Sequence, residues 1–496
     1  MNASEFRTEQ ITILHGLQVG VIDPNTVITG MRQKDGSYHV LSRYGDNVWT
    51  LPESLFSAGT TDYHKNLNFL RIPLPFRETL QDCMARYILS GIEGRNRARG
   101  GTIHQFFLKV TSFLTWLDDQ GIADLFKVTP LISQQYVEFC KGLRGKKGKP
   151  ISGNALISRL GAVETLHILS QQSRDPMLHP WPESSSWHLA GCTGKGNPYL
   201  QEARTEIIPD DILGPLFQMT VEWLSKADEV IHISAKVERW KSEKQSYEFI
   251  TKRLKKLGWT LSEIRVAELH LQTACMCIIL ITSGIRLSEL CSLENQSAFV
   301  TLDEQDEPFY WMRGISYKTG TGACDWLVAE ITHRALDVAE RLVRPLQAQL
   351  VQHISDLRSK SLNQTDIAKL SGHVSRLFLT FTKRQNSHIG TLSKNLVVKR
   401  INAFAAQCGL DWRFTPHQFR RTFAVYAAHS AFGDLRYLRD HFKHWSLDMT
   451  TLYAMSSQQD AELYDHVGSA ALSIKVELLE HWLEPDAVLM GGAADP

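Results

Sequence analysis

The chain has 496 residues, is 43% apolar and 22% charged, and carries a formal net charge of +1. That length exceeds one ordinary core and implies several domains, while the composition excludes wholesale disorder. Eight scattered cysteines without a CxxC pair fit reduced thiols, and the most apolar run, 274–281, falls far short of the ~20 residues of a membrane helix, so a soluble cytoplasmic protein is expected.

Residues 1–77 read as strand-leaning: runs at 38–42 and 47–51 are broken by the turn pairs Asp35-Gly36 and Gly45-Asp46. No basic segment followed by an apolar run opens the chain, so no secretory signal is expected. No chemistry is visible in this region.

From 78 to 175 the apolar period becomes helical. Phe106, Val110, Phe113, Leu114 and Leu117 follow Thr102 as an N-cap. Pro130 opens a second helix, with Ile132, Tyr136, Phe139 and Cys140 on one face, and Ser152 caps a third. The intervening loops are basic, holding Arg95, Arg97 and Arg99, then Lys141, Arg144, Lys146, Lys147 and Lys149. These cations read either as solvated loop residues or as phosphate contacts on a small helical domain. Over 80–200 there are fourteen Lys or Arg against nine Asp or Glu, whereas 454–496 hold one Lys against eight acids. The near-neutral total therefore conceals a basic middle and an acidic tail.

Residues 176–205 are rich in Pro, Ser, Gly and Trp and have the composition of a linker. Beyond them the chain is mainly helical. The exception is 308–331, where two strand-like runs flank a Gly-rich turn that places Lys318 near a hairpin tip. Two charged stretches, 226–262 and 350–385, read as insertions with solvated helices.

Four motifs in this half carry groups suited to phosphate. In the first, an apolar helix ends near Gly284 and Arg286 opens the next one, where an anion is favoured; the plain alternative is an ion pair with Glu289 at i+3. In the second, Pro416 starts a helix and His417 and Arg420 share one face. One group can exchange a proton while the other holds a phosphate oxygen. The third contains His441 and His444, whose spacing without a nearby third ligand makes a poor zinc site. Tyr453 belongs to the fourth.

Arg286 within Gly-Ile-Arg-Leu-Ser-Glu-Leu, a hairpin Lys318, His417-x-x-Arg420, and His444 nine residues before Tyr453 occur in an order that resembles the tyrosine recombinases, the phage integrase family. The resemblance covers about 205–460. It implies a fold that is mainly α with a small β-sheet or hairpin, in which a helical core-binding domain (78–175) and a mixed α/β catalytic domain (206–460) are joined by the 176–205 linker and clamp DNA. An acidic helical tail (461–496) would dock on a neighbouring protomer or on its own domain. Residues 1–77 match nothing in the family and are open to a role as a further DNA-binding module.

The resemblance also implies a chemistry. Tyr453 would attack a DNA phosphodiester, Arg286 and Arg420 would clamp its non-bridging oxygens, and Lys318 would protonate the leaving 5′ oxygen. His417 would take the tyrosine proton or support the phosphate, and His444 would donate to it. Neither metal nor cofactor is called for. The implied partners are double-stranded recombination sites, further protomers assembled on DNA and, in some systems, partner recombinases; the implied setting is a bacterial cytoplasm, at the nucleoid, and the implied task is movement of a mobile element.

Three features depart from the family pattern or compete within it. Phe442-Lys443-His444 stands where Leu-Gly-His is usual, and the hairpin lacks a second basic residue, leaving Arg313 on the preceding strand as a weaker rival to Lys318. Arg421 competes with Arg420, although helical spacing to His417 favours the latter. Other readings of the same residues are a type IB topoisomerase, a catalytically silent DNA-binding protein, and a scaffold without DNA affinity.

Overall fold

The structure is a computed structural model that describes residues 1–19, 22–33, 36–145, 148–192, 205–302, 306, 308–316, 322–360, 364–382 and 388–431. It is mainly helical with small antiparallel sheets. In chain order the helices are α1 (Ala3–Val19), α2 (Arg77–Leu89), α3 (Gly100–Asp119), α4 (Pro130–Gly142), α5 (Gly153–Ser170), α6 (Ser186–Leu189), α7 (Asp210–Ser225), α8 (Ala227–Ser242), α9 (Tyr247–Lys256), α10 (Leu261–Ser283), α11 (Leu287–Leu290), α12 (Glu330–Ser359), α13 (Gln364–Ser371), α14 (Lys394–Gln407) and α15 (Pro416–Ala431). The strands are β1 (Val27–Arg32), β2 (Tyr38–Arg43), β3 (Val48–Thr50), β4 (Asn66–Asn68), β5 (Ala298–Leu302), β6 (Pro308–Ser316), β7 (Gly322–Leu327), β8 (Leu379–Thr382) and β9 (His388–Thr391).

Two compact units divide the chain: Met1–Phe56 with Thr60–Gln201 and Asn363–Ala368, and Ser57–Gly59 with Glu202–Leu362 and Lys369–Pro496. In the first, residues 1–77 contribute Ile13, Leu17, Ile28, Trp49, Leu67 and Phe69 to the same buried cluster as Phe107 and Phe113 of α3, Tyr136 of α4 and Leu160 of α5. The strand-leaning reading of the N-terminus misses α1. Asn2 and Glu5 cap it reciprocally, each side chain accepting from the other's backbone N–H at 2.8 Å. Phe6 then stacks on Tyr38 at 4.2 Å over Gly30, where a Cβ would lie 2.5 Å from its ring.

The helices of the basic region start close to their sequence signals. Thr129 and Ser152 accept from the backbone N–H groups of Ile132 and Ala155, at 3.4 and 3.2 Å. α3 begins earlier than Thr102 implies, with Arg99 at its N-cap. Phe139 is 44% exposed rather than on the buried face of α4, and Val137 takes the core position beside Tyr136 and Cys140. The described part of the supposed linker is also packed. Met177 and Trp181 are buried, and Glu164 of α5 accepts from Trp181 Nε1 at 2.6 Å, Ser186 N at 2.7 Å and Ser186 Oγ at 3.1 Å.

In the second unit α10 is the central helix, packed by α7, α8, α12, α14 and α15. Thr260 and Glu263 form a capping box at its start, and 274–281 are wholly or almost wholly buried. Contrary to the sequence-based expectation, α10 is long and apolar enough to cross a membrane; most of it is buried inside the protein, as in a core helix. The charged stretch from 226 is not simply solvated: Val230, Ile233, Val237, Ile250 and Leu254 give α8 and α9 buried faces. Strands β5, β6 and β7 form an antiparallel sheet in that order, and Ser316 pairs with Gly322 across the root of the expected hairpin.

Candidate nucleic-acid site

Gly284 terminates α10 in the left-handed conformation at φ 60°, donating to Leu280 O at 3.2 Å. The reversal places Arg286 at the N-cap of α11, in extended backbone with φ −74° and ψ 152°. Gly284 meets a second demand as well, because a Cβ there would lie 2.6 Å from Cδ1 of Phe423 on α15. That close approach lets Arg420, one turn before Phe423, donate from Nη1 to Gly284 O at 3.1 Å. Two arginine motifs separated by more than a hundred residues thus meet at one turn.

Arg286 is fixed from within its own motif. Glu289 is 0% exposed; its Oε2 accepts from Arg286 N at 2.6 Å and its Oε1 from Arg286 Nη1 at 2.8 Å. In the sequence Glu289 reads as a surface partner, but the fold makes it a buried carboxylate whose charge is tolerated because it is paired and hydrogen-bonded. Ser316 Oγ adds a third donor, to Oε1 at 3.1 Å. The spacing Arg-x-x-Glu, that of a capping box, is the sequence signal for Glu289. Ser316 has no local signal, being brought in from β6 by the sheet.

α15 begins at Pro416, and Gln418 reaches back to accept from Thr415 N at 2.8 Å. His417 is exposed on the first turn, whereas Arg420 is 3% exposed and Phe419 and Phe423 are 2% exposed. His417 and Arg420 therefore stand one turn apart, the first at the surface and the second at the buried base. Arg421 is half-buried, and desolvation lowers its pKa from the ordinary arginine value. Arg313, the rival to Lys318, is engaged on the sheet. It pairs with Asp325 across β6 and β7 at 2.7 and 2.8 Å and lies 4.9 Å over the Phe299 ring. Lys318, His444 and Tyr453 lie outside the described residues, as do Lys146 and Lys147.

The remaining basic-loop residues fall into two groups. Arg95, Arg99 and Lys149 are exposed and form no ion pair among the described residues. Arg97 donates to Leu89 O, Lys141 pairs with Glu138 at 2.9 Å, and Arg144 donates to the carbonyls of Lys141 and Leu143 at 3.3 and 3.4 Å. These three are spent partly on their own loops.

No family model matches the chain. A segment of 78 residues is 36% identical to a protein described as a tyrosine recombinase from Agathobacter rectalis, covering 15% of this chain and 25% of the other. The chain thus spans about a quarter of the length of the curated relative it matches. Among solved structures, the XerA recombinase aligns at 16% identity over 80% of this chain and 98% of the other, with a TM-score of 0.22. The XerH site-specific recombinase bound to difH substrate aligns at 11% over 92% and 96%, with a TM-score of 0.38. The Tn1549 transposon integrase in complex with circular intermediate DNA aligns at 16% over 77% and 97%, with a TM-score of 0.28. The sequence similarity to a tyrosine recombinase is thus confined to that segment of 78 residues.

Proposed function

We propose that the chain is a site-specific DNA strand transferase of the tyrosine recombinase type, acting on duplex recombination sites of a mobile element and assembling as a multimer on them. The observation that carries the reading is the contact of Arg420 with Gly284 O, which sets a buried guanidinium against the turn bearing Arg286. Two cations gathered at one place, one of them beside a helix start, suit a bound anion.

Tyr453 is the proposed nucleophile. Its oxygen forms a bond to phosphorus while the bond from phosphorus to the 5′ oxygen breaks, and Lys318 gives that oxygen its proton. His417 accepts the tyrosine proton, and His444 donates to the phosphate. Arg286 and Arg420 stabilise the charge that grows on the non-bridging oxygens. Because the phosphotyrosyl link keeps the ester's energy, rejoining to another strand needs neither ATP nor metal.

A suicide-substrate trap on fragments of the host's mobile-element ends tests the reading. The expected result is a denaturation-resistant protein–DNA adduct that Tyr453→Phe abolishes. Tight binding without an adduct would make the chain a silent DNA-binding protein. Relaxation of any supercoiled plasmid without pairing of two sites would make it topoisomerase-like.

A further inference from the structure

We infer that Ser316 is a positioning residue for Arg286, acting through the carboxylate of Glu289; the inference rests on the strand-transfer reading above. Ser316 ends β6, is 2% exposed, and donates from Oγ to Glu289 Oε1 at 3.1 Å. The same oxygen accepts from Arg286 Nη1 at 2.8 Å. A carboxylate gripped by Arg286 could pivot with it, but the Ser316 hydroxyl references that carboxylate to the sheet. Ser292 supplies a second tie: its Oγ donates to Glu289 O at 2.7 Å and accepts from Ile315 N at 3.4 Å. The Arg286 turn and the end of β6 are therefore bound together at two points, the first buried and the second partly buried.

Productive sites hold such groups within roughly 0.5 Å and 10–20°. As the Tyr453 oxygen bonds to phosphorus and the bond to the 5′ oxygen breaks, negative charge gathers on the non-bridging oxygens facing Arg286. A loosened Arg286 costs rate where that charge is present to be held.

The test uses the duplex captured by the trap in three forms. One has the ordinary scissile phosphodiester. A second has a methylphosphonate, in which methyl replaces a charged non-bridging oxygen. The third has a 5′-bridging phosphorothiolate, whose sulfur leaves without needing a proton. Ser316→Ala is expected to cleave the ordinary duplex about 10-fold more slowly than the parent chain. On the methylphosphonate it should come within about twofold of the parent, and on the phosphorothiolate it should stay slow. Equal rates on the ordinary duplex would overturn the inference. So would a deficit that persists on the methylphosphonate, which marks general structural damage, or one abolished by the phosphorothiolate, which places Ser316 at the leaving group. These failures leave the parent's own adduct intact; absence of that adduct on all three duplexes would overturn the strand-transfer reading and this inference together.

Discussion

Gly284 carries two constraints at once, a positive φ and contact with Phe423. An alanine would incur about 1–2 kcal/mol for the left-handed backbone and about 1–3 kcal/mol for overpacking. Gly284→Ala should therefore lower stability by about 2–5 kcal/mol in urea unfolding. In the double variant with Phe423→Ala the costs should be less than additive, because the second change removes the colliding ring. Titration offers a second test at this scale. Burial, the largest cause in each case, holds His104, His270 and His333 below the ordinary histidine value of 6.5. Because each holds a proton less readily folded than unfolded, their contribution is whole above 6.5 and is lost as the pH falls below it. His104 Nδ1 is buried without a hydrogen-bond partner among the described residues. Between about pH 7.5 and 5.5 the urea midpoint of His104→Phe should therefore fall less than that of the parent.

At the scale of elements, composition and bonding disagree over 176–192. Pro, Ser and Gly give the stretch the look of a spacer, but Trp181 is 5% exposed and its indole N–H donates to Glu164. Trp181→Ala should cost about 3–5 kcal/mol in the unfolding of the first unit, as a core truncation does; a loss below about 0.5 kcal/mol, typical of surface changes, would restore the spacer reading. Helix starts were the legible features. Pro130, Ser152 and Pro416 announce α4, α5 and α15 because a first-turn proline or a capping serine acts within the helix's own first turn. The start of α3 was less so: Arg99 provides no side-chain cap, and the helix gains its first turn where Gly100 packs against Phe56.

Across the whole molecule, charge is sorted by what each cation already holds. If the chain binds DNA through the basic loops, Arg95, Arg99 and Lys149 are the ones still available to phosphates, whereas Lys141 is committed to Glu138. Removing the first three should reduce the slope of log affinity against log salt by up to roughly 0.9 for each phosphate no longer neutralised. Lys141→Ala should change it less, and filter binding across a salt series would show both. An equal effect from Lys141→Ala would mean that the ion pair opens on binding.

Taken alone, the sequence determined the mainly helical class, the end of α10 at Gly284, the start of α15 at Pro416, and the ordered set Arg286, Lys318, His417, Arg420, His444 and Tyr453 on which the recombinase resemblance rests. These are local matters of residue type and spacing, decided within a few positions of the chain. Tertiary structure alone decided that Arg420 meets Gly284, that Glu289 is wholly buried, and that Ser316 arrives from β6 to hold it. It also decided that residues 1–77 share the core of the helices after them. Those outcomes depend on packing between segments far apart in sequence. No periodicity or cap encodes which buried carboxylate will face which distant hydroxyl.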